Sequence, residues 1–236
     1  MTPKGKARLA DKVLFARIAA GRTDLVHDWL NAGGAFNSGI EGASALHWCA
    51  YFGDVTAVKT LMSRGVALNS LGKNLGLNGA AFHGHWQLCE FLIENGASAN
   101  AALPTTGETP LHHALCNDDR ITWDPVVKVL LKAGANPNAK TKRGMETGTF
   151  MRDARTRGET PLHRAAACGT APTIQLLLDA GADKTLLDAH GDSALSWASW
   201  HRRPVAILRL LCFGDHRIHP AYGDGLRANR IGSPGG

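Results

Sequence analysis

Thr160-Pro161-Leu162-His163-Arg164-Ala165 repeats, 51 residues downstream, the pattern of Thr109-Pro110-Leu111-His112-His113-Ala114. In both, Thr supplies an oxygen to cap the free N–H groups of a helix, and Pro tolerates the first helical position. Small residues such as Ala165 and Ala166 follow and let a neighbouring helix approach closely. Weaker copies stand at Ser44-Ala45-Leu46-His47 and Ser193-Ala194-Leu195-Ser196.

Aligning on the Leu extends the pattern to six rows: Leu14–Gly21, Leu46–Gly53, Leu77–Gly84, Leu111–Asp118, Leu162–Gly169 and Leu195–Arg202. A second apolar segment follows each, closed by Gly33, Gly65, Gly96, Gly134, Gly181 and Gly214. Five rows keep 19 residues from Leu to closing Gly, and the fourth has 23. Within a row, Gly53, Gly84 and Gly169 are expected to end the first helix in a left-handed conformation. Spacings of three and four, as in Ile174, Leu177 and Leu178, predict a second helix. Helices of about ten residues are marginal alone, so they must share a core with their neighbours.

This arrangement resembles the ankyrin-repeat family, whose units carry T-P-L-H-x-A in about 33 residues. Two full motifs and six rows carry the resemblance, over roughly residues 11–218. The segment Gly144–Ala198 is also similar to bacterial ankyrin-repeat proteins of unassigned role. The implied fold is all-α: a solenoid of about six helix-turn-helix units with β-hairpin links. Its divisions fall near 1–10 (an N-terminal arm), 11–41, 42–73, 74–106, 107–140, 158–190 and 191–218 (the units), and 219–236 (a flexible tail). An insertion at about 141–157 separates the fourth and fifth units. Four extra residues around Asn117–Asp124 lengthen the fourth.

In that family the concave groove is made by hairpin tips and the open side of the first helices. The open positions are the residue after the His and the two before the Gly. The resemblance therefore implies partner-binding roles for Trp48, Tyr51 and Phe52, then Phe82 and His83 beside Gly79. It adds His113, with Cys116 and Asn117, and Arg164, with Ala167 and Cys168. The sixth row gives Trp197, Trp200 and His201. Six of the chain's 15 aromatic residues fall at these places, and large rigid rings dominate binding hot spots. The competing expectation is that the rings pack on the insertion or the termini. Within the insertion, Arg143, Phe150 and Arg152 are candidates to meet an acidic partner.

The resemblance implies that His47, His112 and His163 bond backbone between units. His112 and Cys116 lie four apart beside His113, but a zinc site needs about four ligands, so no metal is expected. No G-x-S-x-G, H-E-x-x-H, P-loop or dinucleotide pattern occurs, and neither catalysis nor a cofactor is expected.

Composition agrees with a folded chain: 44% hydrophobic and 19% charged residues. The five cysteines are odd in number, form no C-x-x-C and sit in apolar segments, which points to reduced thiols and a cytoplasmic setting. The net charge of +6 favours acidic partners. A nucleic-acid-associated regulator, binding through the basic insertion and C-terminal arginines, is the second reading; the positive residues are not laid along one element. No apolar run is long enough to span a membrane. A monomeric interaction scaffold or adaptor, taking a protein or peptide in its groove, is the function expected.

Overall fold

Why each Leu recurs is visible in the computed structural model, which describes residues 3–35, 39–40, 42–116, 123–148 and 156–216, with backbone only for 3–10. The chain divides into two compact units, Met1–Ser98 and Ala99–Gly236.

In the first unit, α1 (Pro3–Ala19) pairs with α2 (Val26–Asn31), entered by a 3-10 turn at Thr23–Leu25. Strands β1 (Gly39–Ile40) and β2 (Ala43–Ser44) form an antiparallel hairpin leading into α3 (Ala45–Tyr51) and α4 (Val55–Ser63). Two 3-10 turns, Leu68–Leu71 and Lys73–Gly76, precede α5 (Leu77–Phe82) and α6 (Trp86–Glu94). Leu46, Cys49, Val58, Leu61, Leu77, Leu88, Cys89 and Leu92 are buried together along these pairs. Phe15 stacks on Trp29 at 5.4 Å, closing the first pair.

The second unit holds α7 (Pro110–His113), α8 (Asp124–Lys132), α9 (Pro161–Cys168), α10 (Ala171–Asp179), α11 (Ala194–Trp200) and α12 (Val205–Leu211). The short α7 reflects an irregular fourth row; of the extra residues expected there, 117–122 lie outside the described residues. So do 149–155 of the insertion and 217–236, which include the expected tail.

Thr109 and Thr160 close capping boxes, but with His at the third helical position instead of the usual Glu or Gln. The Thr109 N–H donates to His112 Nδ1 at 3.2 Å, and the Thr160 N–H donates to His163 Nδ1 at 3.3 Å. An accepting Nδ1 leaves the proton on Nε2. His112 Nε2 then donates to the Glu159 carbonyl at 3.3 Å, and His163 Nε2 to the Asp192 carbonyl at 3.0 Å. Each His thus caps its own helix and ties it to the next link. Burial holds the His112 pKa well below 6.5, with the Arg164 charge adding to the effect, so the ring stays neutral as this bonding requires.

Asn residues perform a second tie that the sequence reading left unassigned. Asn100 Nδ2 donates to the Gly134 carbonyl at 2.7 Å, and its Oδ1 accepts from the Asn136 N–H. Asn138 makes the same pair of bonds to Gly181 and Asp183.

Two expectations need correction. Gly53 and Gly84 are left-handed (φ 72° and 79°), but Gly169 is not, at φ −67° and ψ 166°. Its glycine is required by close packing: a Cβ there would lie 2.6 Å from the Ala165 carbonyl oxygen. The links are also less uniform than hairpins throughout. Among the described residues, only β1–β2 and an isolated Leu187–Ser193 bridge have strand pairing.

Candidate interaction surface

Helix α3 turns Ala45, Leu46 and Cys49 into the core. Its opposite side therefore carries Trp48, Tyr51 and Phe52, spaced three and four apart on one helical face. Their rings touch. Tyr51 meets Trp48 edge-on at 5.9 Å and Phe52 at 5.0 Å, while Trp48 and Phe52 lie 24° from parallel at 6.3 Å. The contacts continue onto α5: Tyr51 meets His83 at 4.8 Å, and His83 meets Phe82 at 5.2 Å. Tyr51 is 51% exposed, Phe52 38% and Phe82 37%; Trp48 and His83 are half-buried.

This surface is held from below. His85 Nε2 donates to the Tyr51 carbonyl at 2.8 Å, and the His85 ring stacks on His83 at 5.9 Å. A Cβ on Gly53 would stand 2.5 Å from the His85 ring, so the left-handed turn after α3 and the seat of His85 depend on the same glycine. Burial, and then the neighbouring His85, lower the His83 pKa below 6.5. His83 is therefore neutral at pH 7, and the surface is aromatic and uncharged. A pocket of about 670 Å³ opens beside it, lined by Ala19, Ala20, Ala43, His47, Trp48, Tyr51 and Phe52.

The second unit departs from the expected groove. Arg164 is fully buried, not open. Its Nε donates to Glu159 Oε1 at 2.9 Å, and its Nη2 to Glu108 Oε1 at 2.9 Å and Glu159 Oε1 at 2.6 Å. Nη1 donates to the His112 carbonyl and to Cys116 Sγ, both at 2.9 Å. Two carboxylates draw the guanidinium inward because a buried acid without a counter-ion is costly. Burial raises the Glu108 pKa, but the charge and hydrogen bond of Arg164 outweigh it, and the net shift is downward. Glu108 also accepts the Gly148 N–H at 3.1 Å, so the cluster anchors the near end of the insertion.

Trp197 is likewise buried. It donates through Nε1 to Asp188 at 3.0 Å and meets the His163 ring at 5.3 Å. Ala167 and Cys116 are buried, and Cys168 is half-buried. His113 is half-buried with its Nε2 enclosed. His201 and Trp200 are exposed, Trp200 by 52%. The Arg157 guanidinium covers one Trp200 face at 4.8 Å while paired with Asp188 and Asp192. Arg143 is exposed. Phe150, Arg152 and Asn117 lie outside the described residues.

Sequence reasoning missed Trp86, 38% exposed at the start of α6, because open positions were sought only on first helices. It also missed the Glu108–Arg164–Glu159 cluster. The signal was the Glu before each Thr-Pro, present in both full motifs.

A family model of ankyrin repeats matches three copies, at residues 13–100, 46–141 and 144–222. The chain belongs to the ankyrin-repeat family. Its relatives include an ankyrin repeat domain-containing protein of Stachybotrys chartarum, SAT10, 28% identical over 63% of this chain and 7% of that one. A putative ankyrin repeat protein of fowlpox virus, FPV031, is 34% identical over 57% of this chain and 36% of its own. The mouse B-cell lymphoma 3 protein homolog is 33% identical over 50% and 22%. This ankyrin-repeat chain thus spans a minor part of these relatives' lengths. Ankyrin repeats are in general protein–protein interaction modules. Among the described residues, no helix is long and apolar enough to cross a membrane, and no group of three or more His, Cys, Asp or Glu side chains is placed to hold a metal.

Proposed function

We propose that this ankyrin-repeat chain is a non-catalytic interaction module that takes a protein or peptide partner on the aromatic surface of its first unit. Trp48, Tyr51, Phe52, Phe82 and His83 carry the contact. The observation behind this reading is the unbroken run of ring contacts from Trp48 to Phe82, with three of the rings at least a third exposed. Exposed contiguous aromatic surface is costly in water and marks interaction sites. Of the second unit's candidates, Trp200 and His201 are exposed and are secondary contacts, whereas Arg164 and Trp197 serve the core.

Peptides selected on the full chain from an unbiased display library provide the test. Tyr51→Ala with Phe82→Ala should weaken the selected peptides at least about ten-fold, since aromatic anchors at hot spots carry about 2 kcal/mol or more. Trp200→Ala should change affinity less. Full affinity for the Tyr51/Phe82 variant, with its fold intact by circular dichroism, would refute the reading.

A further inference from the structure

His83 lies within the aromatic surface, in contact with two exposed rings. Its imidazole meets Tyr51 at 4.8 Å and Phe82 at 5.2 Å, edge-on in both cases. Of the rings in the run from Trp48 to Phe82, it alone can gain a charge near neutral pH. His83 caps α5, and the chain then turns through left-handed Gly84 (φ 79°) into His85. That turn brings one imidazole over another: the two rings lie 25° from parallel, with centroids 5.9 Å apart.

The two imidazoles differ in what holds them. His85 Nε2 donates to the Tyr51 carbonyl, and its ring occupies the space over Gly53. That bond survives protonation, because Nε2 carries a hydrogen in the imidazolium as well. His83 is half-buried, with its ring among those of the surface itself. A charge on it meets poor neighbours. The ionisable groups in ring contact with it are the Tyr51 phenol, from α3, and His85, at the entrance to α6; α5 itself contributes none. The phenol is neutral near pH 7, and a charge on His85 would have the same sign. Burial, and then His85, hold the His83 pKa below 6.5. A partner lying on Tyr51 and Phe82 removes water from the ring that touches both, which disfavours the imidazolium further.

We infer that His83 is a proton-operated switch in the aromatic surface: a partner on Tyr51 and Phe82 and a proton on His83 exclude one another. This regulation rests on the reading of the first unit as the recognition surface. Its sign follows from linkage. The bound protein holds fewer protons at His83 than the free protein. Affinity is therefore complete above the His83 pKa of the free chain and falls as the pH drops through it. One proton limits the fall to about ten-fold per pH unit. By reciprocity, a bound partner lowers the His83 pKa by the same free energy. The surface thus holds its partner near neutral pH and releases it on acidification.

Isothermal titration calorimetry on the full chain tests this with one display-selected peptide. The peptide contains no Asp, Glu or His, so its own side chains do not titrate in the range, and its binding at pH 7.5 depends on Tyr51 and Phe82. Between pH 7.5 and 5.0 its Kd should rise at least about two-fold. His83→Phe keeps a ring and cannot be charged. Whatever its affinity at pH 7.5, its Kd should change by less than that over the same range. Circular dichroism at each pH separates release from acid unfolding. A second reading needs no variant. In 15N–1H spectra of the histidine rings, His83 of the free chain should titrate below 6.5, and saturation with peptide should move its midpoint lower. A wild-type change under about two-fold, tighter binding at pH 5.0, an equal slope in His83→Phe, or a midpoint that the peptide leaves in place or raises overturns the switch. Selected peptides that still need Tyr51 and Phe82 in that case leave the recognition surface standing. If no selected peptide needs those two rings, the recognition surface falls and the switch falls with it.

Discussion

Replacing Arg164 with Met leaves a side chain of similar length and takes away the charge between Glu108 and Glu159. The guanidinium has no solvent exposure and makes five hydrogen bonds, three of them to the two carboxylates. Breaking a buried ion pair from one side costs about 3–5 kcal/mol. An independent route gives a similar size. Without Arg164, burial dominates at Glu108, and the carboxyl is driven to take up a proton. Holding a group of ordinary pKa 4.5 protonated at pH 7 costs about 3.4 kcal/mol, and at pH 5.5 about 1.4 kcal/mol. The sign differs between the two proteins. In the native chain Glu108 has a depressed pKa, and its contribution is present above pH 4.5 and lost as the pH falls through its lower folded value. In the variant the folded pKa is raised, and stability declines as the pH rises above 4.5. Urea unfolding followed by circular dichroism at pH 7 and pH 5.5 should show a deficit of about 3–4 kcal/mol that shrinks by about 2 kcal/mol at the lower pH. A deficit under about 1 kcal/mol, equal at both pH values, would refute the assignment of Arg164 to the core.

Three other outcomes follow from the same geometry. Trp197→Phe removes the donor to the buried Asp188 and should cost about 1–3 kcal/mol in urea unfolding, where an open groove position would show almost none. Leu75→Gly should stabilise the first unit by about 1 kcal/mol, read as a raised urea midpoint, because Leu at φ 51° pays a left-handed penalty that Gly does not. His112 has a folded pKa well below the ordinary 6.5, so its contribution is complete above that value and fades as the pH drops below it. The slope of stability between pH 6.5 and 5 should accordingly be shallower in His112→Asn.

Much of the repeat was legible because it rests on backbone requirements that only certain residues meet. Thr-Pro, the spaced Leu and the closing Gly mark helix starts, core positions and stops, and the six helix pairs among the described residues fall on those marks. The aromatic side of α3 was legible for the same reason: once Leu46 and Cys49 face inward, Trp48, Tyr51 and Phe52 cannot. Arg164 and Trp197 occupy the row position of Trp48 yet lie buried, and position alone did not foretell this. Their fate is set by partners outside their own helices: Glu108, 56 residues from Arg164, and Asp188, nine residues before Trp197. A guanidinium or indole at a nominally open place turns inward when an acid waits there. The link before α5 was opaque because Leu75 adopts a left-handed conformation, φ 51°, that its residue type does not signal.

The six Trp indoles offer the most direct reading of where a partner lands. In a two-dimensional 15N–1H spectrum of the full chain, each gives one side-chain resonance. On titrating a library-selected peptide, the Trp48 indole signal should shift or broaden, while those of buried Trp29 and Trp197 stay in place. A titration that moves Trp123 or Trp200 and leaves Trp48 untouched would contradict the account.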